Sequence, residues 1–166
     1  MRTSSELNKE LKALQDERAK ILEQEKKTRF FVASTTEDPE KVRPPYNLAE
    51  TRQRLFDVES QIINIKHRIN QFNTTYVVPE TGLTIDQILV KLPMLSARVQ
   101  ALSAMVNHLE IERCNDRYSR NSIIEYEYIN YDPRLVRFLY DEAQEELSAL
   151  QLALDRANTT VELDGV

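Results

Sequence analysis

Glycine is almost missing from this chain: Gly82 and Gly165 are the only two in 166 residues. A phosphate-cradling P-loop and a dinucleotide-binding turn each need several glycines in one tight turn, so both are excluded. Cysteine is as scarce. Cys114 stands alone, which rules out an intrachain disulfide and a cysteine-built zinc cluster. No segment approaches the roughly 18 apolar residues that span a bilayer. The first residues lack the apolar core of about 7–15 residues that marks an export signal. These absences lead to the expectation of a cytoplasmic protein, bacterial in style, with no membrane partner.

Positive charge is also in deficit. The formal net charge is -5, which disfavours nonspecific nucleic-acid binding, because that binding rests on cations that neutralise phosphates. The charge is unevenly placed. Residues 1–31 carry Arg2, Lys9, Lys12, Arg18, Lys20, Lys26, Lys27 and Arg29, more cations than acids. From Asp132 onward acids dominate, with Arg134, Arg137 and Arg156 as the cations. The two ends can attract each other within one subunit or between subunits.

What the chain does have is helical periodicity. Ile85, Ile88, Leu92, Leu95, Val99, Leu102, Val106 and Leu109 follow one another at alternating three- and four-residue spacing. That is a heptad seam held for more than three heptads. Pro93 interrupts it, and an interior proline costs about 3 kcal/mol. The apolar phase nevertheless continues, so a kinked but continuous helix is preferred over a break at Pro93. Thr84 and Gln87 are spaced as a capping box at its start. A second stripe, Ala97, Ala101, Ala104, His108 and Ile111, predicts a second neighbour for this helix, which is expected to fray near Cys114.

Three further helices carry seams. One runs from Ser4 or Ser5 to near Arg29, on Leu7, Leu11, Leu14 and Ile21, with Arg18 and Glu25 interrupting. A connecting loop over 33–47 holds Asp38-Pro39 and Pro44-Pro45. Asn47 is positioned to cap the next helix, whose seam is Leu55, Val58, Ile62, Ile65, Ile69 and Phe72. Phe56 and Ile63 widen that face and imply more than one neighbour. Asp132-Pro133 is a strong helix start, opening a seam of Val136, Leu139, Ala143, Leu147, Leu150, Leu154 and Ala157. Short strands are expected at Tyr76-Val77-Val78 and over Ile123 to Ile129. In the second, Ile124, Tyr126 and Tyr128 face one way, while Glu125 and Glu127 face water.

Two helices end in Asn-Thr-Thr, at Asn73-Thr74-Thr75 and Asn158-Thr159-Thr160. Asparagine tolerates the left-handed conformation that closes helices, and the threonines are expected to begin extended segments. Asp-Pro also occurs twice. The expected fold is mainly α: long antiparallel helical hairpins in a coiled-coil-like four-helix arrangement, with short β segments at helix ends. The chain reads as one helical domain over 1–166, with two related hairpins at 1–78 and 83–163 as an option.

Arg113, Arg117, Tyr118, Ser119 and Arg120 form the densest polar constellation. On a continuing helix Arg113 and Arg117 share a face, with Arg120 beside them, and three guanidinium groups suit a phosphate or carboxylate. The competing reading is salt bridging to Glu110, Glu112 or the acidic last helix. His67 reads as solvent-facing and His108 as partly buried. Neither has metal-ligand spacing around it. Cys114 lacks a histidine nearby in sequence, and Glu142, Glu145 and Glu146 read as a solvated face or a partner for the basic first helix. No catalytic residue, metal or cofactor is assigned.

Ile69-Asn70 then Asn73, the Gly82-Leu83-Thr84 helix entry, Asp116-Arg117-Tyr118-Ser119-Arg120 and Asn158-Thr159-Thr160 occur in an order that resembles the septicolysin-like family of uncharacterised bacterial helical proteins. The resemblance covers nearly the whole chain, with the Asp-Arg-Tyr-Ser-Arg stretch its most specific element. It implies an all-helical core of coiled-coil-like hairpins and a homo-oligomer, with a hexamer as one option. It assigns no catalytic residues. The family label suggests a cytolysin, to which the amphipathic 3-4 stripes lend little, since such stripes usually meet protein. The leading expectation is a self-assembling helical protein with a structural or protein-interaction role. A small anionic-ligand-binding protein or enzyme using Arg113, Arg117 and Arg120 comes second, and a membrane-active cytolysin third.

Overall fold

The computed structural model describes residues 2–114 and 124–163. It is mainly helical with short strands, in the order α1 Ser4–Thr28, α2 Pro39–Val42, α3 Leu48–Thr75, β1 Val77–Val78, β2 Leu83–Thr84, α4 Ile85–Val106, β3 Ile111–Arg113, β4 Tyr126–Tyr128 and α5 Pro133–Thr160. Two compact units result: Met1–Tyr76 with Arg156–Val166, and Val77–Asp155.

The first unit is built on α1 and α3. Thr3, just before the expected serines, caps α1: its hydroxyl accepts from the Glu6 amide at 3.3 Å, and the Glu6 carboxylate accepts from the Thr3 amide at 2.9 Å. Asn47 caps α3 as expected, accepting from the Glu50 amide at 3.2 Å. The two helices run antiparallel, and Ile21 packs with Leu55 and Val58 in a buried cluster. Each fully buried side chain of this kind contributes about 1.5–3 kcal/mol. The two charges that interrupt the α1 seam both reach across to α3. Arg18 Nε donates to Glu59 at 2.7 Å, and Glu25 pairs with Arg52. The loop between the helices contains the single turn α2, where the Asp38 side chain accepts from the Glu40 amide.

The second unit opens with a tight β1–β2 hairpin, Val77 opposite Thr84 and Val78 opposite Leu83. Gly82 makes the turn with a φ of 66°, a conformation that other residues adopt at a cost. The β2 strand has no counterpart in the sequence reading. Thr84 then caps α4 in a full capping box with Gln87. The helix continues through Pro93 without a break. It stops at Val106, eight residues short of Cys114, where the Asn107 amide donates to the Ser103 carbonyl at 3.1 Å. Leu109 therefore leaves the seam and is 63% exposed. The chain forms an antiparallel two-stranded arm instead, Ile111 opposite Tyr128, Glu112 opposite Glu127 and Arg113 opposite Tyr126.

Asp132 opens α5, its carboxylate accepting from the Arg134 amide at 2.8 Å. Buried Val136, Ala143, Leu150, Ala153 and Ala157 mark its inner face. The Asn-Thr-Thr exits depart from expectation. Their threonines are helical, and no residue other than glycine has positive φ among the described residues. The hydroxyls bond back instead: Thr75 to the Gln71 carbonyl and Thr160 to the Arg156 carbonyl, both at 2.8 Å. A threonine that satisfies a carbonyl one turn back has no need to leave the helix. Phe56 and Ile63, expected against a second neighbour, are exposed.

Candidate functional site

The seam of α4 buries Ile85, Ile88, Leu95 and Val99, with Leu92, Leu102 and Val106 half-buried. At 100° per residue, the line diametrically opposite is Val90, Met94, Ala97, Ala101 and Ala104. All five are exposed, Val90 at 54% and Met94 at 67%. The alanine stripe was expected against a neighbour, and among the described residues its alanines face solvent. Leu89 and Pro93 widen the same surface and are exposed too. No charge interrupts it over about 21 Å, the 14 steps from Val90 to Ala104 at about 1.5 Å each.

The flank of α4 is held by α5, which runs antiparallel to it. Lys91 pairs with Glu146. Tyr131, just before α5, donates its hydroxyl to the Met105 carbonyl at 2.8 Å, satisfying one of the acceptors that a helix end leaves open. Arg98 and Leu102 of α4 and Leu139, Glu142, Ala143 and Glu146 of α5 line a groove of about 390 Å³ between the helices. Two of the three acids expected to form a solvated face thus line this groove.

The β3–β4 arm leaves the helices at the far end of the apolar line. Its register places Ile111, Arg113, Tyr126 and Tyr128 on one face and Glu112 and Glu127 on the other. Both faces are exposed, so the face expected to be dry is open as well. Two cavities lie at the root of the arm and share Met105, His108, Ile129 and Tyr131 in their walls. One of about 430 Å³ is lined by Val106, Glu110, Pro133, Arg134 and Arg137 among others. The other, of about 360 Å³, is lined by Ala104, Met105, His108, Tyr128, Asn130 and Tyr131 among others.

Of the sequence-predicted cluster, Arg113 sits on β3, paired with Tyr126 across the arm, and not on a helix. The i, i+4 face expected with Arg117 therefore has no helix at Arg113 to build on. Arg117, Tyr118, Ser119 and Arg120 lie outside the described residues. His108 is exposed, its Nδ1 within 2.7 Å of the Leu109 carbonyl oxygen. His67 and Cys114 are exposed. Among the described residues no group of His, Cys, Asp or Glu side chains is placed to hold a metal.

One polar site escaped the sequence reading. Glu25 is 5% exposed and is held by Arg52 and by the Tyr46 hydroxyl, which donates to it at 2.9 Å. Burial, then the hydrogen bond and negative charge of Glu25, push the Tyr46 phenol above its usual range. The signal was present: a carboxylate at a seam position must find partners on the facing elements. A small cleft of about 160 Å³ opens beside it, lined by Thr28, Pro45 and Arg54 among others.

By length and composition alone α4 is apolar enough to cross a membrane, although little of it is buried. The expectation that no segment comes near this is corrected. Polar residues break the run into short pieces, while the alanines, Met94, Met105 and the aliphatic seam keep the average high. The core helix of a soluble protein can pass the same test.

None of the curated proteins matches the chain. A crystal structure of a functionally unknown conserved protein from Corynebacterium diphtheriae is similar, with a TM-score of 0.60 and 21% identity over 98% of this chain and 99% of that one. At that identity the likeness speaks for the fold alone. The expected septicolysin-like assignment is overturned, since both the structural neighbour and the family model that matches the chain point elsewhere. Of its quoted motifs, Asn-Thr-Thr closes two helices here and the Gly82 turn precedes the start of α4, and the hexamer option rested on that resemblance alone. Residues 18–163 match a family of unknown function, DUF6847, and the chain belongs to that family.

Proposed function

We propose that this protein is a self-assembling helical protein with a structural or protein-interaction role, and that the outer face of α4 is its assembly surface. The observation that carries the reading is the exposed, uncharged line of Val90, Met94, Ala97, Ala101 and Ala104 opposite the buried seam. An ordinary solvent-facing helix surface is polar, and large contiguous apolar patches mark interaction sites. The lone exposed Cys114 accords with a reducing, cytoplasmic setting. Sedimentation equilibrium tests the proposal. A dimer or larger species is expected at micromolar concentration, and Ala101→Asp is expected to shift it to monomer, because a symmetric contact buries each introduced charge twice. A wild-type monomer across that range ends the reading.

The anionic-ligand reading keeps one supporting observation. Arg134 and Arg137 line the cavity of about 430 Å³ at the root of the arm, with no carboxylate within ion-pair distance of either among the described residues. Glu110 on the same wall opposes it. A melting-temperature rise with inorganic phosphate that vanishes in Arg137→Ala supports this reading, and an equal rise in both proteins removes it.

A further inference from the structure

Resting on the self-assembly reading, we infer that two copies of α4 pack antiparallel across a twofold axis at Ala97, with bulky residues of each helix seated on the small residues of the other. The outer face of α4 is graded along its length. Its N-terminal half presents Leu89, Val90, Pro93 and Met94, and its C-terminal half presents Ala97, Ala101 and Ala104. A parallel pair sets bulk against bulk at one end and leaves a gap at the other. An antiparallel pair sets bulk against small throughout.

In a twofold contact, if residue i meets residue j, then j meets i. With Ala97 at the axis, Val90 of one copy meets Ala104 of the other, and Pro93 meets Ala101. The ionisable groups that bound the line complement each other in the same register. Asp86, exposed in the first turn of α4, comes opposite exposed His108 just beyond its end. Arg98 flanks the axis and lines the same groove as Glu142 and Glu146 of its own α5.

Space is already present where the bulky end must go. The cavity of about 360 Å³ beside Ala104 is open to solvent and bounded by Met105, His108 and Tyr128. The antiparallel register delivers Leu89 and Val90 of the second copy to its mouth. A stable interface covers about 800 Å² of each partner, more than one helix line provides. Tyr128, 64% exposed on the arm at that mouth, extends the contact onto the N-terminal half of the second α4.

Cysteine cross-linking in a Cys114→Ser background tests the register. Helices that meet on alanines bring facing Cα atoms close to the roughly 4.4–6.8 Å that a disulfide bridges. Under mild oxidation, Ala97→Cys is expected to link to itself in most chains. A mixture of Val90→Cys and Ala104→Cys proteins is expected to form the mixed disulfide, while Val90→Cys alone stays unlinked. Sedimentation of each reduced variant shows whether it still assembles. A dimer in which Val90→Cys links to itself, or in which Ala97→Cys links to nothing, overturns the antiparallel register and leaves self-assembly standing. A monomer overturns both, and a monomer that floats with phosphatidylcholine vesicles gives the face to lipid instead.

Discussion

Glu162 lies opposite Thr3 in an antiparallel β-bridge: it is two residues past the end of α5, and Thr3 is the cap of α1. Val77 stands to Thr84 in the same relation, two residues past the end of α3 and opposite the cap of α4. Each threonine opens a capping box, closed by Glu6 in one case and Gln87 in the other. The helix that ends beside each threonine closes in Asn-Thr-Thr with its last hydroxyl folded back one turn. The same pattern therefore occurs twice: a residue two positions past a helix end pairs with the threonine that caps a helix.

The two caps should matter to similar degrees. Thr3→Ala and Thr84→Ala each remove a hydroxyl that satisfies an open helix amide, a loss of about 1 kcal/mol. Urea unfolding should show a lower midpoint with an unchanged slope for each, and Thr84→Ser should recover most of the loss. A Thr84→Ala midpoint equal to wild type would mean that the β1–β2 pairing holds the junction without the cap.

Local chemistry was legible where a few adjacent residues decide the outcome. Asn47, Thr84 with Gln87, and Asp132 before Pro133 announced helix starts because capping needs only a side-chain oxygen and an amide two or three residues on. The passage of α4 through Pro93 was legible because the buried phase holds on both sides of it. What failed depends on partners far along the chain. Periodicity alone carried the seam on to Leu109, but the strand at Ile111–Arg113 is decided by pairing with Tyr126–Tyr128. The alanine stripe identified a face and not what covers it, and among the described residues its alanines are exposed. Arg113 was read on a helix for the same reason that Leu109 was.

Glu25 should be the most sensitive charge in the first unit. Removing one partner of a fully buried pair costs about 3–5 kcal/mol. The Arg52 side chain is 57% exposed, so screening should reduce the cost of Glu25→Gln to about 1–2 kcal/mol. Arg18 and Glu59 are both largely exposed, and Glu59→Gln should cost no more than about 1 kcal/mol. Chemical denaturation of the two variants side by side checks the order, and equal losses would contradict it.

Tyr46 should make the fold sensitive to alkali. Its phenol titrates higher when folded than the unfolded value of about 10. The folded chain then keeps a proton that the unfolded chain has released, so stability falls as pH rises. The Tyr46 contribution is complete below about pH 10 and is lost as pH climbs from there through the folded value. Tyr46→Phe cannot titrate, so the stability gap between wild type and variant should narrow between about pH 9 and about pH 11. Urea midpoints at the two values measure it, and a gap of constant size would rule out the linkage.

The arm should tighten when its facing acids are relieved. Glu112 and Glu127 are directly opposite on one face, and like charges so placed destabilise a strand pair. A two-stranded ribbon is marginal in water to begin with, so a small change should be visible. Glu127→Lys converts the repulsion to attraction, a gain of about 0.2–1 kcal/mol for the pair. The amides that report on it are Cys114, bonded to the Glu125 carbonyl at 3.0 Å, and Ile129, bonded to the Glu110 carbonyl at 3.2 Å. Their hydrogen exchange should slow by up to about fivefold, the equivalent of about 1 kcal/mol. Because the arm is exposed, the effect should shrink as salt is raised toward 1 M, where the screening length falls to about 3 Å. Slowing that is indifferent to salt would assign the gain to strand propensity, and no slowing at low salt would mean that the two carboxylates do not repel across the arm.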